Sequence, residues 1–344
     1  MEVEACRGYV EEMHPGKETL MVGDEPAISQ VEFVRGISMD RMPGVARTWP
    51  EPSAMPLILD TDVGFEPDDA LALVLAARLP SLALIITSDE FDNNRRARLA
   101  RFMLRVLNSR DIPIVGGASL GNENHWTLED LVPDYIPTQP TDIVSAIRQV
   151  LDEHKGLIGW VGLGPMSNLA LALAEIPELR DRLVVTQQEG TFPALLDSAE
   201  QNIALDLPSA RAVLDSGIRP WIVPVDISYP FNAITKESIE YEIIDRAADP
   251  ICTLLRLNFD LWLSERPAAH LPGVLTLTQA IGMPFVTAIS ADVGLDEFGR
   301  ICAGSNPVYV GQDADEVKFH RWLVDQMKEI HSSSIRHPAS RRLD

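Results

Sequence analysis

Residues 57–70 read LILDTDVGFEPDDA, and this short stretch predicts how the fold begins. Its first three residues are apolar, which is typical of a short buried strand. Asp60 and Asp62 follow in a segment that also contains a glycine. Asp68 and Asp69 then open an apolar stretch with the pattern of a helix. The stretch therefore predicts a strand, an acidic loop and a helix, in that order.

Glu66 adds a fifth carboxylate to this loop. Like charges that lie so close repel one another, and a bound cation relieves the repulsion. Carboxylate oxygens select Ca²⁺ or Mg²⁺ over Zn²⁺. The loop therefore predicts a site for a hard divalent cation. The simpler alternative is that Asp68 and Asp69 only favour the start of a helix, through capping or through its dipole.

The composition is that of an ordinary globular protein: of 344 residues, 46% are hydrophobic and 23% are charged. The net charge of −22 argues against nucleic acid and against an anionic membrane surface as partners. No apolar run reaches the length of about 18 residues that a membrane span needs. The basic run RRAR at 95–98 is interpreted as the solvated face of a helix. These features do not exclude a small neutral or cationic ligand, and they leave a homo-oligomer open.

The three cysteines, Cys6, Cys252 and Cys302, form no CxxC motif. A disulfide framework is therefore not expected, and a reducing compartment is. The first residues lack the basic start and the apolar centre of a signal peptide. Together these features predict a cytoplasmic protein.

Short apolar runs alternate with longer helical patterns through most of the chain. The predicted strands are residues 56–61, 82–87, 112–116, 157–162, 182–187 and 219–225. The predicted helices are residues 68–79, 93–108, 141–154, 166–176, 207–216, 235–246 and 249–265. This alternation is typical of an α/β fold with a mostly parallel central sheet flanked by helices, in a Rossmann-like architecture. Ligands bind such sheets beyond the carboxyl ends of the strands. The residues near the predicted strand ends are Asp60, Asp62, Thr87, Leu163, Gln188 and Asp226.

Three parts of the chain are distinguished by their composition. Residues 1–55 show no sustained period and are interpreted as a partly ordered extension. Residues 56–330 carry the strand and helix signals and are interpreted as one domain. Residues 331–344 are mostly polar and are interpreted as a flexible tail.

Four later segments accompany the acidic loop in a definite order. They are TSDEFDN at 87–93, VGLGPMSN at 161–168, EQNIALD at 200–206 and residues 271–286, which end in GMPFV at 282–286. Together with the DTDVG run at 60–64 and the pair at 68–69, they resemble the motifs of the inosine-uridine-preferring nucleoside hydrolase family. The resemblance covers about residues 55–325. It implies the fold of that family and a Ca²⁺-dependent N-ribosyl hydrolase, which cleaves the N-glycosidic bond of a nucleoside or a related ribosyl compound.

The resemblance also implies roles for individual residues. Asp62 is expected to be the general base that activates a water for attack on ribose C1′, and Asp60 is expected to support the loop. The expected metal ligands are Asp62, Asp69 and the backbone carbonyl of Leu163. The expected substrate-binding residues are Asp68, Glu200, Asn202, Asp92 and Asn93. Such a reaction passes through an oxocarbenium-like transition state, which neighbouring carboxylates stabilise.

One family position is not matched in this chain. The family carries a His-Asp pair, which assists the leaving base and completes the metal shell, where this chain has Pro272 and Gly273. Neither residue can bind a metal through its side chain or transfer a proton. His270, two residues upstream, is the candidate catalytic substitute for the missing histidine if the loop is shifted, and the alternative is that it is a plain loop histidine. The missing metal oxygen is expected from Glu66, Glu90 or Asp92.

Two other functions stay open at this stage. A degenerate family member would bind a ribosyl ligand without hydrolysing ordinary nucleosides, in a binding or regulatory role or in a different ribosyl reaction. A haloacid-dehalogenase-type phosphatase also has an Asp-x-Asp motif after its first strand and binds Mg²⁺. That chemistry needs a downstream lysine, and Lys155, Lys236 and Lys318 lie in no convincing motif.

Overall fold

A computed structural model describes residues 55–109, 112–121, 128, 131–191, 199–228 and 233–335. Apart from Met55, the predicted N-terminal extension lies outside the described residues. The predicted tail lies outside them from residue 336 onward.

A nine-stranded sheet forms the centre of the molecule. Its strands are β1 (Leu57–Thr61), β2 (Leu82–Thr87), β3 (Ile114–Gly116), β4 (Ile158–Gly162), β5 (Leu183–Gln188), β6 (Trp221–Val223), β9 (Val286–Leu295), β10 (Ile301–Ala303) and β11 (Asn306–Ala314). Their order is β10-β9-β11-β6-β5-β4-β1-β2-β3. All neighbours from β11 to β3 are parallel, whereas β9 runs antiparallel to both β10 and β11. Two short antiparallel strands, β7 (Ala233–Ile234) and β8 (Ala269–His270), form a separate ribbon.

Ten helices follow or join these strands in the part of the chain that the structure describes. They are α1 (Pro67–Ala76), α2 (Arg95–Val106), α3 (Ile143–Glu153), α4 (Ser167–Glu175), α5 (Gln201–Leu205), α6 (Leu207–Asp215), α7 (Ile239–Arg246), α8 (Pro250–Glu265), α9 (Pro272–Ala280) and α10 (Glu316–Ile335). Aspartates begin several of them, because a carboxylate accepts the free N–H groups of a first turn. Asp142 accepts from Ser145 N at 2.9 Å, and Asp249 accepts from Ile251 N at 2.9 Å.

The alternation of side chains along the strands places apolar residues on both faces of the sheet. In β1, Leu57 and Leu59 belong to one buried cluster, and Ile58 belongs to the cluster on the other side. The first cluster holds side chains of α1, α2, α8, α9 and α10, and the second holds those of α3, α4 and α6. Every residue of α1 is buried, so this helix is an interior element of the fold. Both faces are therefore covered, as a mostly parallel sheet requires.

The predicted α/β architecture is confirmed. All six predicted strands and all seven predicted helices are present, with ends that differ from the prediction by at most four residues. The strands β7 to β11 and the helices α5, α9 and α10 were not predicted. In β9 only two of ten residues are buried, so the strand lacks the compact apolar run by which the other strands are recognised in the sequence.

No helix in the described ranges combines the length and the apolar character that crossing a lipid bilayer requires.

Candidate functional site

The four aspartates of the acidic loop are buried at the carboxyl end of β1 and the start of α1. None of them exposes more than 8% of its surface, so their side chains do not splay into bulk solvent. Burial of carboxylates at this density is costly unless each has a partner or a cation is near. The contacts of each carboxylate therefore indicate what the loop is built to do.

Asp60 is tied to the neighbouring strands by a buried amide. Asn168 Nδ2 donates to Asp60 Oδ1 at 2.8 Å and to the carbonyl oxygen of Thr87 at 3.1 Å. The side-chain oxygen of Asn168 accepts from Ala118 N at 2.8 Å. Burial raises the pKa of Asp60 to about 8, and the bond from Asn168 opposes that rise. Asn168 thus joins the ends of β1 and β2 and the loop after β3, and Asp60 lies where a supporting residue is expected.

Asp62 lies against the loop that follows β4. A Cβ atom added to Gly164 would lie 3.0 Å from Asp62 Oδ1, so only a glycine lets the carboxylate approach this loop so closely. Burial raises the pKa of Asp62, and the positive charge of Arg96 lowers it. The predicted base is therefore buried beside a fixed positive charge.

Arg96 is not on a solvated face, which corrects the interpretation of the basic run from the sequence. Its side chain is fully buried and forms an ion pair with Asp89 at 3.2 Å. Its guanidinium donates to the backbone oxygens of Asp62 and of Val63, the latter at 3.2 Å. Arg96 therefore fixes the backbone of the acidic loop. The helical period of α2 turns this position toward the core, and its arginine neighbours obscured that signal.

The second aspartate pair makes contacts outside its own helix. Asp68 Oδ2 accepts the backbone N–H of Gly273 at 2.8 Å, and Thr61 Oγ1 donates to Asp69 Oδ1 at 3.1 Å. Burial, followed by repulsion from neighbouring carboxylates, raises the pKa of Asp69 well above its ordinary value. Burial also raises the pKa of Asp68 to about 7. Capping of α1 alone therefore does not account for these two residues.

Glu66 lies with the same group of carboxylates. Burial and the charges of Asp68 and Asp62 raise its pKa well above the ordinary value, whereas the charge of Arg266 lowers it. Its side chain makes no capping bond to α1. It stays a candidate for the missing metal oxygen.

Glu90 and Asp92, the other two candidates for that oxygen, are engaged elsewhere. Glu90 Oε1 accepts from Thr87 Oγ1 at 2.5 Å and from Ala97 N at 2.7 Å, and Oε2 accepts from Arg96 N at 3.1 Å. Its carboxylate thus caps α2. Asp92 and Asn93 are exposed at the surface, with Asp92 paired to Arg95 at 3.5 Å. Neither Asp92 nor Asn93 shares the burial of the central carboxylates.

The segments at 161–168 and 200–206 meet at the carbonyl group of Leu163. Asn202 Nδ2 donates to Leu163 O at 2.8 Å, which connects the end of β4 to α5. Glu200 begins α5 and accepts from the backbone N–H groups of Asn202 at 3.0 Å and Ile203 at 3.3 Å. Burial raises the pKa of Glu200 to about 7. Asn202 therefore contacts a predicted metal-binding carbonyl directly, and Glu200 caps the helix that carries Asn202.

His270 ends β8, and Pro272 and Gly273 begin α9. Burial lowers the pKa of His270 to about 4, so its imidazole is neutral at neutral pH. Pro272 takes the first helical position, where its missing N–H costs nothing. The unmatched family position is therefore the amino end of a helix, and its Gly273 N–H is directed at Asp68.

Within the described ranges, no three acidic, histidine or cysteine side chains are already arranged as a metal site. The donor set nevertheless fits a hard cation, because Asp62, Asp69 and the Leu163 carbonyl are all oxygen donors. Asp68 Oδ1 is also buried without a hydrogen-bond partner in the described part of the chain. A Ca²⁺ site at this position stays a prediction.

Comparison with known proteins identifies the family. The family described as inosine-uridine preferring nucleoside hydrolase matches residues 57–321. The chain belongs to this family. The chain is 27% identical over 281 residues to the pyrimidine-specific ribonucleoside hydrolase RihA of Enterobacter sp. (strain 638), which covers 74% of this chain and 88% of that protein.

Solved structures share the fold of this nucleoside hydrolase. The purine-preferring ribonucleoside hydrolase from Gardnerella vaginalis superposes with a TM-score of 0.69 at 19% identity, covering 81% of this chain and 99% of that chain. The type III effector protein XopQ, complexed with adenosine diphosphate ribose, superposes with a TM-score of 0.64 at 20% identity, covering 81% and 95%.

The family resemblance and the enzyme class predicted from the motifs are thereby confirmed. The chain is a hydrolase of the nucleosidase class, and the family acts on small ribosyl substrates. Membership in this family also sets aside the phosphatase alternative.

Proposed function

We propose that the protein is a Ca²⁺-dependent N-ribosyl hydrolase that cleaves the N-glycosidic bond of a nucleoside or a related ribosyl compound. The observation that carries the proposal is the buried convergence of Asp60, Asp62, Asp68 and Asp69 at one end of β1. Each has its own hydrogen bond or close approach, and Asp62 lies near enough to the other three for its charge to add to burial in raising the pKa of each. The family membership supports the reaction type.

In the proposed site, Asp62, Asp69 and the Leu163 carbonyl would hold the cation. Ca²⁺, when bound, would supply positive charge that polarises a water and orients ribose hydroxyls. The bond from Thr61 fixes one oxygen of Asp69, and the bond from Asn202 fixes the carbonyl of Leu163. These contacts support the proposal because they hold the donor atoms in place before a ligand arrives.

The proposed base is Asp62. Without the cation, burial raises the pKa of Asp62 and the charge of Arg96 opposes that rise. Asp62 would accept a proton from the water as the water attacks ribose C1′ and the bond from C1′ to the nucleobase nitrogen breaks. The neighbouring carboxylates would stabilise the positive charge that develops on the ribose ring.

The proposed sugar contacts come from Asp68, Glu200 and Asn202. Asp68 holds one oxygen on Gly273 N, and its other oxygen is buried without a partner in the described ranges. A ribose hydroxyl that donated to this free oxygen would satisfy it. A buried acceptor gains more from such a bond than an exposed one does, because it has no competing water.

A second function, ribosyl binding without hydrolysis of ordinary nucleosides, is favoured by one specific observation. Burial lowers the pKa of His270 to about 4, so at neutral pH its imidazole is uncharged and a weak general acid, and the side chain of Pro272 has no acidic proton. A poor leaving base would then depart slowly, whereas a leaving group that needs no proton would still be released. The neighbour XopQ is complexed with adenosine diphosphate ribose, so this compound belongs among the ligands to be tested.

The test is a comparison of inosine, uridine and 4-nitrophenyl β-ribofuranoside as substrates, with Ca²⁺ and with a chelator. We expect Asp62→Asn to lower the rate of hydrolysis of all three substrates by about three orders of magnitude or more. General base catalysis and charge stabilisation are both lost in this variant. Asp152→Asn, an exposed aspartate paired to Lys155, is the matched control and should keep full activity.

The outcomes separate the two functions. Ca²⁺-dependent release of nitrophenol together with free nucleobase supports the hydrolase. Release of nitrophenol alone indicates a member that needs a preactivated leaving group. Binding of nucleosides or of adenosine diphosphate ribose without turnover of any substrate contradicts the hydrolase and supports the binding protein.

A further inference from the structure

Gly273 leaves room for two side chains from other elements. A Cβ atom added at Gly273 would lie 2.9 Å from Asp68 Oδ2, 3.2 Å from Gln188 Oε1 and 3.6 Å from Leu163 Cδ1. Any side chain at position 273 would therefore displace Asp68 and the amide of Gln188. In this chain the space beside Gly273 is occupied by the end of the Gln188 side chain.

The sheet places Gln188 beside the proposed cation site. Gln188 is the last residue of β5, and the preceding residue, Gln187, pairs with Gly162 at the end of β4. The next step along both strands brings Gln188 level with Leu163, whose carbonyl is a proposed cation ligand. The contact of Gln188 with the space beside Gly273 thus follows from the register of two central parallel strands.

The amide oxygen of Gln188 is buried and accepts no hydrogen bond from the described residues. Asp68 Oδ1 is also buried and also accepts no hydrogen bond from the described residues, and Asp68 is only 1% exposed. A buried acceptor without a partner costs free energy, and most such atoms in proteins are satisfied. Two such atoms, in two side chains that both approach Gly273, indicate that a ligand provides what the described residues do not.

We infer that Gln188 supplies through its amide oxygen the cation ligand that residue 273 lacks. The inference rests on the proposed function. Ca²⁺ accepts side-chain amide oxygens as well as carboxylates, so the exchange keeps the number of ligands and removes one negative charge. Such an exchange lowers affinity for the cation, and it also lowers the repulsion among the carboxylates that remain. Gly273 is then the partner of Gln188, because the absence of a side chain gives the amide its place.

The first experiment is calorimetric titration of Ca²⁺ into the full chain after chelator treatment, with no nucleoside present. Gln188→Glu restores a charged oxygen and should tighten Ca²⁺ binding by about tenfold or more, whereas Gln188→Leu should weaken it by about tenfold or more. If the amide instead served by donating to Asp68, Gln188→Glu would weaken binding. Gln149→Glu and Gln149→Leu, at an exposed position on α3, are the controls and should bind as the unaltered protein does.

The second experiment moves the carboxylate back to position 273. Gly273→Asp alone should bind Ca²⁺ no better than the unaltered protein, because the new side chain meets Gln188 and Asp68. The double variant Gln188→Ala with Gly273→Asp should bind more tightly than either single variant. Circular dichroism and thermal unfolding confirm that each variant is folded. Additive effects of the two substitutions would overturn the pairing of Gln188 with Gly273.

The two proposals fail in different ways. If the unaltered protein binds Ca²⁺ and Gln188→Leu binds it equally well, the role of Gln188 is wrong and the hydrolase proposal is untouched. If Gln188→Leu keeps Ca²⁺ affinity but loses affinity for ribose, the residue contacts the sugar and its role toward the cation is also wrong. If the unaltered protein takes up no Ca²⁺, both the cation site and the role of Gln188 are overturned.

Discussion

Arg96 shows at the scale of one residue how the acidic loop keeps its shape. A fully buried guanidinium is rare, and here it balances Asp89 while donating to backbone oxygens of the loop. An arginine suits this task because its planar fork donates in several directions at once and stays charged. The loop that carries the predicted base is therefore held in place by a fully buried side chain from α2.

Replacement of Arg96 should be strongly destabilising. Arg96→Met leaves Asp89 without the guanidinium in a fully buried position, and the loss of one partner of a buried ion pair costs about 3–5 kcal/mol. The neighbouring substitution Arg95→Met is the control, because that ion pair with Asp92 is exposed and is worth at most about 1 kcal/mol. Urea unfolding of the two variants measures both costs. Equal stability of the two variants would contradict the structural role of Arg96.

At the scale of an element, the start of α2 is organised by a side chain from outside the helix. Glu90 accepts from two backbone N–H groups of the first turn and from the hydroxyl of Thr87. The residues just before the helix, Asp92 to Asn94, all have positive φ, so the chain turns sharply there and brings Glu90 back over the helix. The segment TSDEFDN at 87–93 is thus a structural support in which Glu90 serves as a cap.

Glu90→Ala should cost about 1–2 kcal/mol of stability, as the loss of a helix cap does, and Glu90→Gln should cost less because its amide oxygen still accepts. Neither variant should change the affinity for Ca²⁺ more than slightly. Chemical unfolding and calorimetric titration of the same two variants provide both values. A large loss of Ca²⁺ affinity with unchanged stability would show that Glu90 is a cation ligand after all.

At the scale of the whole molecule, the buried carboxylates couple stability to pH. Burial raises the pKa of Asp60 to about 8 and that of Glu200 to about 7, from ordinary values of 3.8 and 4.5. Between the ordinary and the raised values, the folded chain holds protons that the unfolded chain has released. The free energy of unfolding therefore falls as the pH rises through this window, by up to about 1.4 kcal/mol per pH unit for each group.

The expected result is that the chelator-treated protein has a lower Tm at pH 8 than at pH 5.5. Added Ca²⁺ should raise the Tm more at pH 8, because protons then compete less for the carboxylates. Differential scanning calorimetry with chelator and with Ca²⁺ at both pH values tests this. A Tm in chelator that rises between pH 5.5 and pH 8, or an equal Ca²⁺ shift at both, would contradict the coupling.

The sequence by itself determined the alternating strands and helices, the position of the acidic loop and the family. These features rest on local patterns: apolar runs such as Leu57–Leu59, and aspartates at fixed spacing after them. The antiparallel edge of the sheet was not visible in this way. Its long strand β9 is mostly half-buried or exposed, so its apolar content does not distinguish it from a loop.

The tertiary structure alone decided which side chains share the site. Arg96 of α2 supports the acidic loop, Glu90 caps α2, and the side chain of Gln188 fills the space beside Gly273. Each of these facts is a contact between segments that are far apart along the chain or that meet through a turn. Such contacts are set by the register of parallel strands and by the packing of helices on them. The pattern of residues within one segment therefore cannot reveal them.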